Sequence, residues 1–129
     1  MSLESWIEEF CPIEANYLTE TDLIAINHCI KKWKGALPEN LEKHRVKYKG
    51  HTIFNKENDI SNYLEFYGSS CALCYKYAGD CIDQTIGPTC PIVRMLGKTC
   101  NEVYNSSESD PKPMLELLHQ TKKFVEDGN

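Results

Sequence analysis

The stretch from Ser69 to Cys100 constrains the fold more than any other part of the chain, because it holds five of the seven cysteines. They are Cys71, Cys74, Cys81, Cys90 and Cys100. This density far exceeds average cysteine use, so incidental buried thiols explain it poorly. The pattern therefore indicates a segment ordered by cysteine chemistry, through a metal ion or a redox pair.

Length and composition limit the class of protein. A chain of 129 residues is the size of one ordinary domain. Its apolar fraction of 41% and charged fraction of 26% are typical of soluble globular proteins. No apolar run approaches the length of a membrane span, and the opening sequence MSLESWIEEF lacks the regions of a signal peptide. We therefore expect a cytoplasmic protein with no membrane partner, in which cysteines stay reduced.

A structural zinc ion is the favoured use of these cysteines. Zinc takes four thiolates at tetrahedral corners, and the pair Cys71-Ala-Leu-Cys74 supplies two of them from one turn. The predicted ligand set is Cys71, Cys74, Cys81 and Cys90, with Cys100 as an alternative to Cys81 or Cys90. Because an all-thiolate site leaves no position for water, the predicted zinc is structural and no catalytic residue is assigned.

Two other cysteine chemistries compete with zinc. Cys71 and Cys74 are the pair for a thiol–disulfide redox site, although no strand clearly leads into a helix at that pair, as a thioredoxin-like site requires. An iron–sulfur cluster ranks third, because the spacing matches neither common ferredoxin pattern. A fast-reacting nucleophilic thiol is the least favoured, since nothing in the sequence positions a histidine beside it.

Hydrophobic periodicity predicts an α+β fold, a small single domain with helices at both ends, a short central β element and a zinc knuckle. Predicted helices cover 3–10, 38–44 and a C-terminal segment capped by Asp110, and one runs from a capping box of Thr19 and Asp22 to about Lys34. VKY and HTIF around a Lys49-Gly50 turn predict a hairpin. The segment 60–67 fits a strand or a helix, and 105–110 is predicted to be a polar loop.

Residues 1–129 are therefore treated as a single domain with three parts. Segment 1–67 is the helical and β part, 68–104 is the cysteine-rich knuckle, and 105–129 carries the C-terminal helix. The knuckle is expected to compensate for a segment, 78–89, with too little apolar content to fold by burial alone.

Basic residues concentrate in the segment 31–56, which contains eight Lys or Arg residues and only two acidic residues. The whole chain has a net charge of −5. They are Lys31, Lys32, Lys34, Lys43, Arg45, Lys47, Lys49 and Lys56. The favoured interpretation is a solvated face that the acidic parts of one fold neutralise. The alternative is a site for an anionic partner at Lys43, Arg45, Lys47 and Lys49, with Tyr48, His51 and Phe54 as groups that stack on bases.

Four segments together resemble a family of small uncharacterised proteins from bacteriophages and prophages. They are AINHCIKKWKGALPENLEKH, SSCALCYKY, CPIVRMLGKTC and PKPMLELL, and the resemblance extends from about Ile24 to Leu118. The family has a Cys-x-Leu-Cys element, a later Cys-Pro and a C-terminal helix rich in Met and Leu. It usually places two residues between its third and fourth cysteines, whereas eight separate Cys81 from Cys90 here, which makes Cys81 the weakest ligand assignment.

The resemblance implies an intracellular accessory protein of a phage or mobile element, acting in the host cytosol. It implies no activity. We therefore rank first a non-enzymatic, zinc-stabilised protein that binds a macromolecular partner, expected to be a protein such as a host enzyme or defence factor. Nucleic-acid or nucleotide binding through segment 31–56 ranks second, because the isoelectric point near 5.3 counts against it. A redox protein or enzyme that uses the cysteines ranks third.

Overall fold

The computed structural model describes residues 2–11, 21–55, 59–66, 73, 90–97 and 100–128, with the side chains of 59–62 and 101 left aside. Helices in this part are α1 (Leu3–Phe10), α2 (Asp22–Lys34), α3 (Pro38–His44), α4 (Pro91–Leu96), α5 (Asn101–Ser106) and α6 (Lys112–Glu126). The strands are β1 (Val46–Lys49), β2 (Thr52–Asn55) and β3 (Asp59–Glu65). The α+β class with helices towards both ends and a central β element is confirmed.

Helix α1 forms because its apolar residues repeat at helical spacing. Leu3, Trp6 and Phe10 are buried on one side, as the sequence predicts. Ser2 and Ser5 close its first turn with reciprocal hydrogen bonds, which satisfy backbone groups that lack a partner within the helix. The side chain of Asn55 accepts a hydrogen bond from the backbone N–H of Leu3 at 2.8 Å, and this bond ties the start of α1 to the sheet.

Helix α2 begins later than the predicted capping box. Thr21 is its N-cap, and the Oγ1 of Thr21 accepts a hydrogen bond from the N–H of Ile24 at 3.2 Å. The assignment of Thr19 as the cap was therefore wrong, because a second threonine two residues on meets the same requirement nearer to Asp22. Thr19 itself lies outside the described residues.

The C-terminus of α2 is set by packing as well as by backbone conformation. Gly35 ends the helix with an ordinary φ of −61°, so the left-handed conformation that favours glycine is not used here. A Cβ at this position would lie 2.6 Å from Cζ2 of Trp6 and 2.7 Å from Cγ of Phe10. The absence of a side chain at Gly35 is what lets α1 approach α2 this closely.

The three strands form an antiparallel sheet in the order β1-β2-β3. Gly50 and His51 connect β1 to β2, and both have a φ of 60°, as a two-residue type I′ hairpin turn requires. The predicted hairpin is thus confirmed, but the predicted Lys49-Gly50 turn is wrong by one residue, because Lys49 still pairs with Thr52 at the end of β1. The ambiguous segment 60–67 contributes to β3, with a register shift between Phe54 and Asn55 where β2 meets it.

One face of the sheet packs on the helices. Ile53 is fully buried there and Phe66, just after β3, is 2% exposed. The ring of Phe66 meets Trp33 of α2 edge-on at 4.8 Å between centroids. Because successive residues of a strand point to opposite faces, the residues between these inward positions form an outer face directed away from the helices.

The C-terminal part contains two short helices that the sequence analysis did not predict. Residues 105 and 106 belong to α5, so the polar loop predicted for 105–110 is shorter than expected. Asp110 does cap α6, since its Oδ1 accepts the backbone N–H of Lys112 at 3.0 Å. The inward stripe of α6 is Met114, Leu115, Leu117, Leu118 and Thr121, and α6 packs against α2, α4 and α5. The buried apolar residues form one continuous core.

Candidate functional site

The cysteines proposed as zinc ligands fall largely outside the described part of the chain. Cys71, Cys74 and Cys81 lie outside the described residues. Cys90 is 7% exposed and directly precedes α4, and Cys100 is partly buried and directly precedes α5. Across the residues that the structure describes, no group of three or more His, Cys, Asp or Glu side chains is arranged to hold a metal ion.

Leu73, which lies between the two cysteines of the Cys-x-x-Cys pair, is described and buried. Its exposure is 2%, and it belongs to the same apolar core as Cys90 and Ile92. A leucine at this position therefore has a packing role of its own, independent of any metal.

The basic segment 31–56 does not act as one charged surface. Lys32 is fully buried, and its Nζ lies 4.9 Å from the centre of the Phe66 ring, a cation–π contact inside the core. Lys43 donates hydrogen bonds to both carboxylate oxygens of Glu9, at 2.9 and 3.1 Å. Arg45 is exposed and ends α3 in the left-handed conformation with φ 55°. Two of the predicted binding residues therefore have structural roles at α3: Lys43 links it to α1 through Glu9, and Arg45 is its C-cap.

The other two predicted binding residues lie on the outer face of the sheet. Lys47 and Lys49 are exposed alternate residues of β1, and no described carboxylate forms an ion pair with either. Lys47 pairs across the sheet with Phe54 of β2, and Phe54 pairs in turn with Tyr63 of β3. We call Lys47, Phe54 and Tyr63 the first row of this face.

The second row runs parallel to the first and consists of Lys49, Thr52 and Glu65. Directly opposite side chains on antiparallel strands lie about 5 Å apart at Cβ. The two rows together make a compact outer face with two lysines at the β1 side and one carboxylate at the β3 side. Its charge is therefore positive only towards β1.

The three aromatic side chains predicted to stack on bases lie in different parts of the structure. Tyr48 points inward, where its hydroxyl donates to the carbonyl of Ser107 at 2.5 Å. His51 stacks on the ring of Tyr104 with 3.8 Å between centroids, and its Nε2 lies 2.5 Å from the carbonyl oxygen of Tyr104. Tyr48 and His51 are therefore engaged in the fold, and Phe54 alone of the predicted three lies on the outer face.

Burial raises the pKa of the Tyr48 phenol, and the nearby acidic groups Tyr104, Glu108 and Asp110 act in the same direction.

Tyr63 is the residue of this face that the sequence analysis did not identify. It is 54% exposed, an unusual position for a large aromatic side chain. Neither Tyr63 nor Phe54 makes a ring contact with another aromatic side chain of the described residues, whereas Trp33, Tyr48 and Phe66 contact one another in the core. The signal was the alternation from Tyr63 to Phe66, which becomes informative only once this segment is assigned as a strand.

A hydrogen-bonded chain of Ser5, His44 and Glu9 lies at the contact between α1 and α3. Ser5 Oγ is 2.8 Å from His44 Nδ1, and His44 Nε2 is 2.6 Å from Glu9 Oε1. This order resembles a hydrolytic triad. However, Ser5 Oγ also donates to the carbonyl of Ser2 and accepts from the N–H of Ser2, so the hydroxyl is part of the helix cap. We interpret the chain as a structural connection between two helices.

Comparisons with known proteins identify no relative. No protein family, no curated protein and no solved structure matches this chain. The resemblance to phage and prophage proteins therefore stays a prediction. Within the described residues, none of the helices has both the length and the apolar character needed to cross a membrane.

Proposed function

We propose that the protein is a non-enzymatic binding protein whose ligand is a nucleic acid held on the outer face of the sheet. One observation supports this proposal above all others. The half-buried Phe54 and the exposed Tyr63 are neighbours on one face of the sheet, beside the exposed Lys47 and Lys49, which form no ion pair with a carboxylate of the described residues. Aromatic side chains next to cations on one surface are the combination that nucleic-acid-binding surfaces use.

The acidic net charge of −5 limits how strong such binding is. Phosphate contacts dominate the affinity of nucleic-acid-binding proteins, and two lysines neutralise about two phosphates. Glu65 at the far end of the second row adds no positive charge for a phosphate to contact. We therefore expect weak binding that depends clearly, but not steeply, on salt concentration.

The test is fluorescence anisotropy with a labelled oligonucleotide at low and at moderate salt. The variant Lys47→Glu/Lys49→Glu is expected to bind at least about tenfold more weakly, because two phosphate contacts become repulsions. The matched control is Lys31→Glu/Lys123→Glu, which changes the net charge equally at exposed helical positions. Equal losses in both variants would show a nonspecific charge effect and contradict the proposed site. If the folded wild-type protein binds no oligonucleotide, nucleic-acid binding is wrong and the protein-partner hypothesis takes its place.

We propose separately that the cysteine-rich segment holds a structural zinc ion. The support is the Cys-x-x-Cys spacing at Cys71 and Cys74, together with the positions of Cys90 and Cys100. Each of these last two cysteines directly precedes a helix that packs on α6 or its neighbours, so a metal bound there would anchor both helices. This role is independent of the outer face of the sheet and has its own test, described below.

A further inference from the structure

The two rings of the first row occupy directly opposite positions on neighbouring strands. Phe54 of β2 is the register partner of Tyr63 of β3, so their Cβ atoms lie about 5 Å apart on one face. Phe54 is half-buried and Tyr63 is 54% exposed, so two aromatic side chains adjoin on this face. The row across three strands is about 10 Å wide from β1 to β3, since neighbouring strands are about 4.8 Å apart.

An aromatic platform on a sheet face discriminates between paired and unpaired bases. In a duplex, each base face is covered by the next base pair, and only edges and backbone are accessible. A base in a single strand can lie flat on a ring, which stabilises binding by about 1–3 kcal/mol for each stacked base. Phe54 and Tyr63 therefore contribute to the affinity for a single strand and add little to the affinity for a duplex.

Charge determines which row a single strand follows. The first row places Lys47 next to Phe54, so a phosphate beside the stacked bases meets an ammonium group. The second row ends at the partly buried Glu65, which offers no positive charge to a phosphate. The path across Lys47, Phe54 and Tyr63 is thus the favourable one, with Lys49 close enough to attract the adjoining phosphate.

We infer that the ligand is a single-stranded nucleic acid of which two adjacent bases stack on Phe54 and Tyr63. This inference rests on the proposed nucleic-acid binding and names the form of nucleic acid that is bound. Stacking on two rings is tolerant of base identity, because every base presents a π face. The site consequently selects for unpaired structure rather than for a sequence.

The experiment compares a labelled single-stranded oligothymidylate, a labelled duplex and heparin as a polyanion without bases. The variants Phe54→Leu and Tyr63→Leu keep an apolar side chain but remove the ring. Each is expected to bind oligothymidylate at least about fivefold more weakly, with heparin binding unchanged. The control Phe124→Leu makes the same replacement on α6, in the helical layer. Tyr63→Phe retains a ring and is expected to bind more tightly than Tyr63→Leu.

Ultraviolet crosslinking gives an independent readout that does not depend on affinity. Crosslinked oligothymidylate is expected on the peptides that contain Phe54 or Tyr63. If duplex and heparin bind as tightly as the single strand, or if the leucine variants lose no affinity, stacking is overturned while nucleic-acid binding through Lys47 and Lys49 stands. If oligothymidylate and duplex both fail to bind folded protein, as judged by circular dichroism, the proposed function fails and the inference fails with it.

Discussion

The indole Nε1 of Trp6 donates a hydrogen bond to the carbonyl oxygen of Gly35 at 2.9 Å, across 29 residues of sequence. The same indole occupies the space that a side chain at position 35 would need, with Cζ2 at 2.6 Å from the Cβ position. The hydrogen bond therefore holds α1 against the end of α2, and the lack of a side chain at Gly35 leaves the space for this close contact. The site of contact is as sensitive to added volume as a close-packed core.

Gly35→Ala is expected to lower the free energy of unfolding by about 1–3 kcal/mol, because the new methyl group overlaps the Trp6 ring. Urea unfolding measures this change. Trp6→Phe removes the two indole atoms nearest to the Cβ position, so the double variant is expected to lose less than the sum of the single losses. Fully additive losses would show that Gly35 does not act through this contact.

Acid is expected to destabilise the contact between α1 and α3 through Glu9. Hydrogen bonds from Lys43 and then from His44 hold the pKa of the Glu9 carboxyl below its usual 4.5. The stabilisation is complete above the pKa of the unfolded chain and is lost as the pH falls through the lower pKa of the folded chain. The melting temperature of the wild-type protein should therefore fall in this range more steeply than that of Glu9→Gln.

The matched control for Glu9 is Glu4→Gln, which changes an exposed carboxylate on the same helix. Its melting temperature is expected to follow the wild-type dependence on pH. A Glu9→Gln curve parallel to that of the wild-type protein would contradict the assignment of the acid sensitivity to this carboxylate.

Alkali is expected to destabilise the fold through Tyr48. Because burial raises the pKa of this phenol above its ordinary 10.0, the folded chain favours the neutral form. The associated stability is complete below the pKa of the unfolded chain and is lost as the pH rises above it. Tyr48→Phe should remove this loss, at a cost near neutral pH of about 1–3 kcal/mol for the hydrogen bond to Ser107. Tyr63→Phe, at an exposed position, is the control and should leave unfolding in urea within about 0.5 kcal/mol.

The zinc proposal predicts a native mass one zinc ion above the apoprotein mass, with the ion lost in acid and all seven cysteines present as thiols. Cys71→Ser and Cys74→Ser are expected to abolish zinc binding and lower the melting temperature. Cys11→Ala should retain the ion, since Cys11 is a buried core residue at 2% exposure. Mass spectra of Cys81→Ser, Cys90→Ser and Cys100→Ser identify which two of these three cysteines complete the ligand set. A native mass without metal, short by two protons for each disulfide, would replace zinc with redox chemistry.

Periodic segments were predictable, because their side-chain spacing records which face is buried. Helices α1 and α3, the body of α2, the inward stripe of α6 and the hairpin of β1 and β2 follow from this rule. The burial of Lys32 could have been predicted from its position, since it lies on the same side of α2 as Ala25 and Cys29. The sequence analysis nevertheless grouped Lys32 with a solvated face, because lysine is rarely buried.

The outer face of the sheet was less accessible to prediction. It depends on the pairing of Phe54 with Tyr63, which brings together residues from a predicted hairpin and from a segment of ambiguous periodicity. The short helices α4 and α5 span six residues each, too few to establish a period, and they lie beside cysteines that indicate a different kind of order. The contact between Gly35 and Trp6 had no sequence signal, because it joins residues that are adjacent only in three dimensions.

The attachment of α1 has a consequence for synthesis on the ribosome. Its partners come later in the chain: Gly35 for Trp6, His44 for Ser5, and Asn55 for the N–H of Leu3. At a rate of about 5–20 residues per second, a few seconds pass between the synthesis of this amphipathic helix and that of its last partner. During that interval its indole and phenyl rings are open to solvent or to a chaperone, so capture of α1 at this stage would keep it from its docking site.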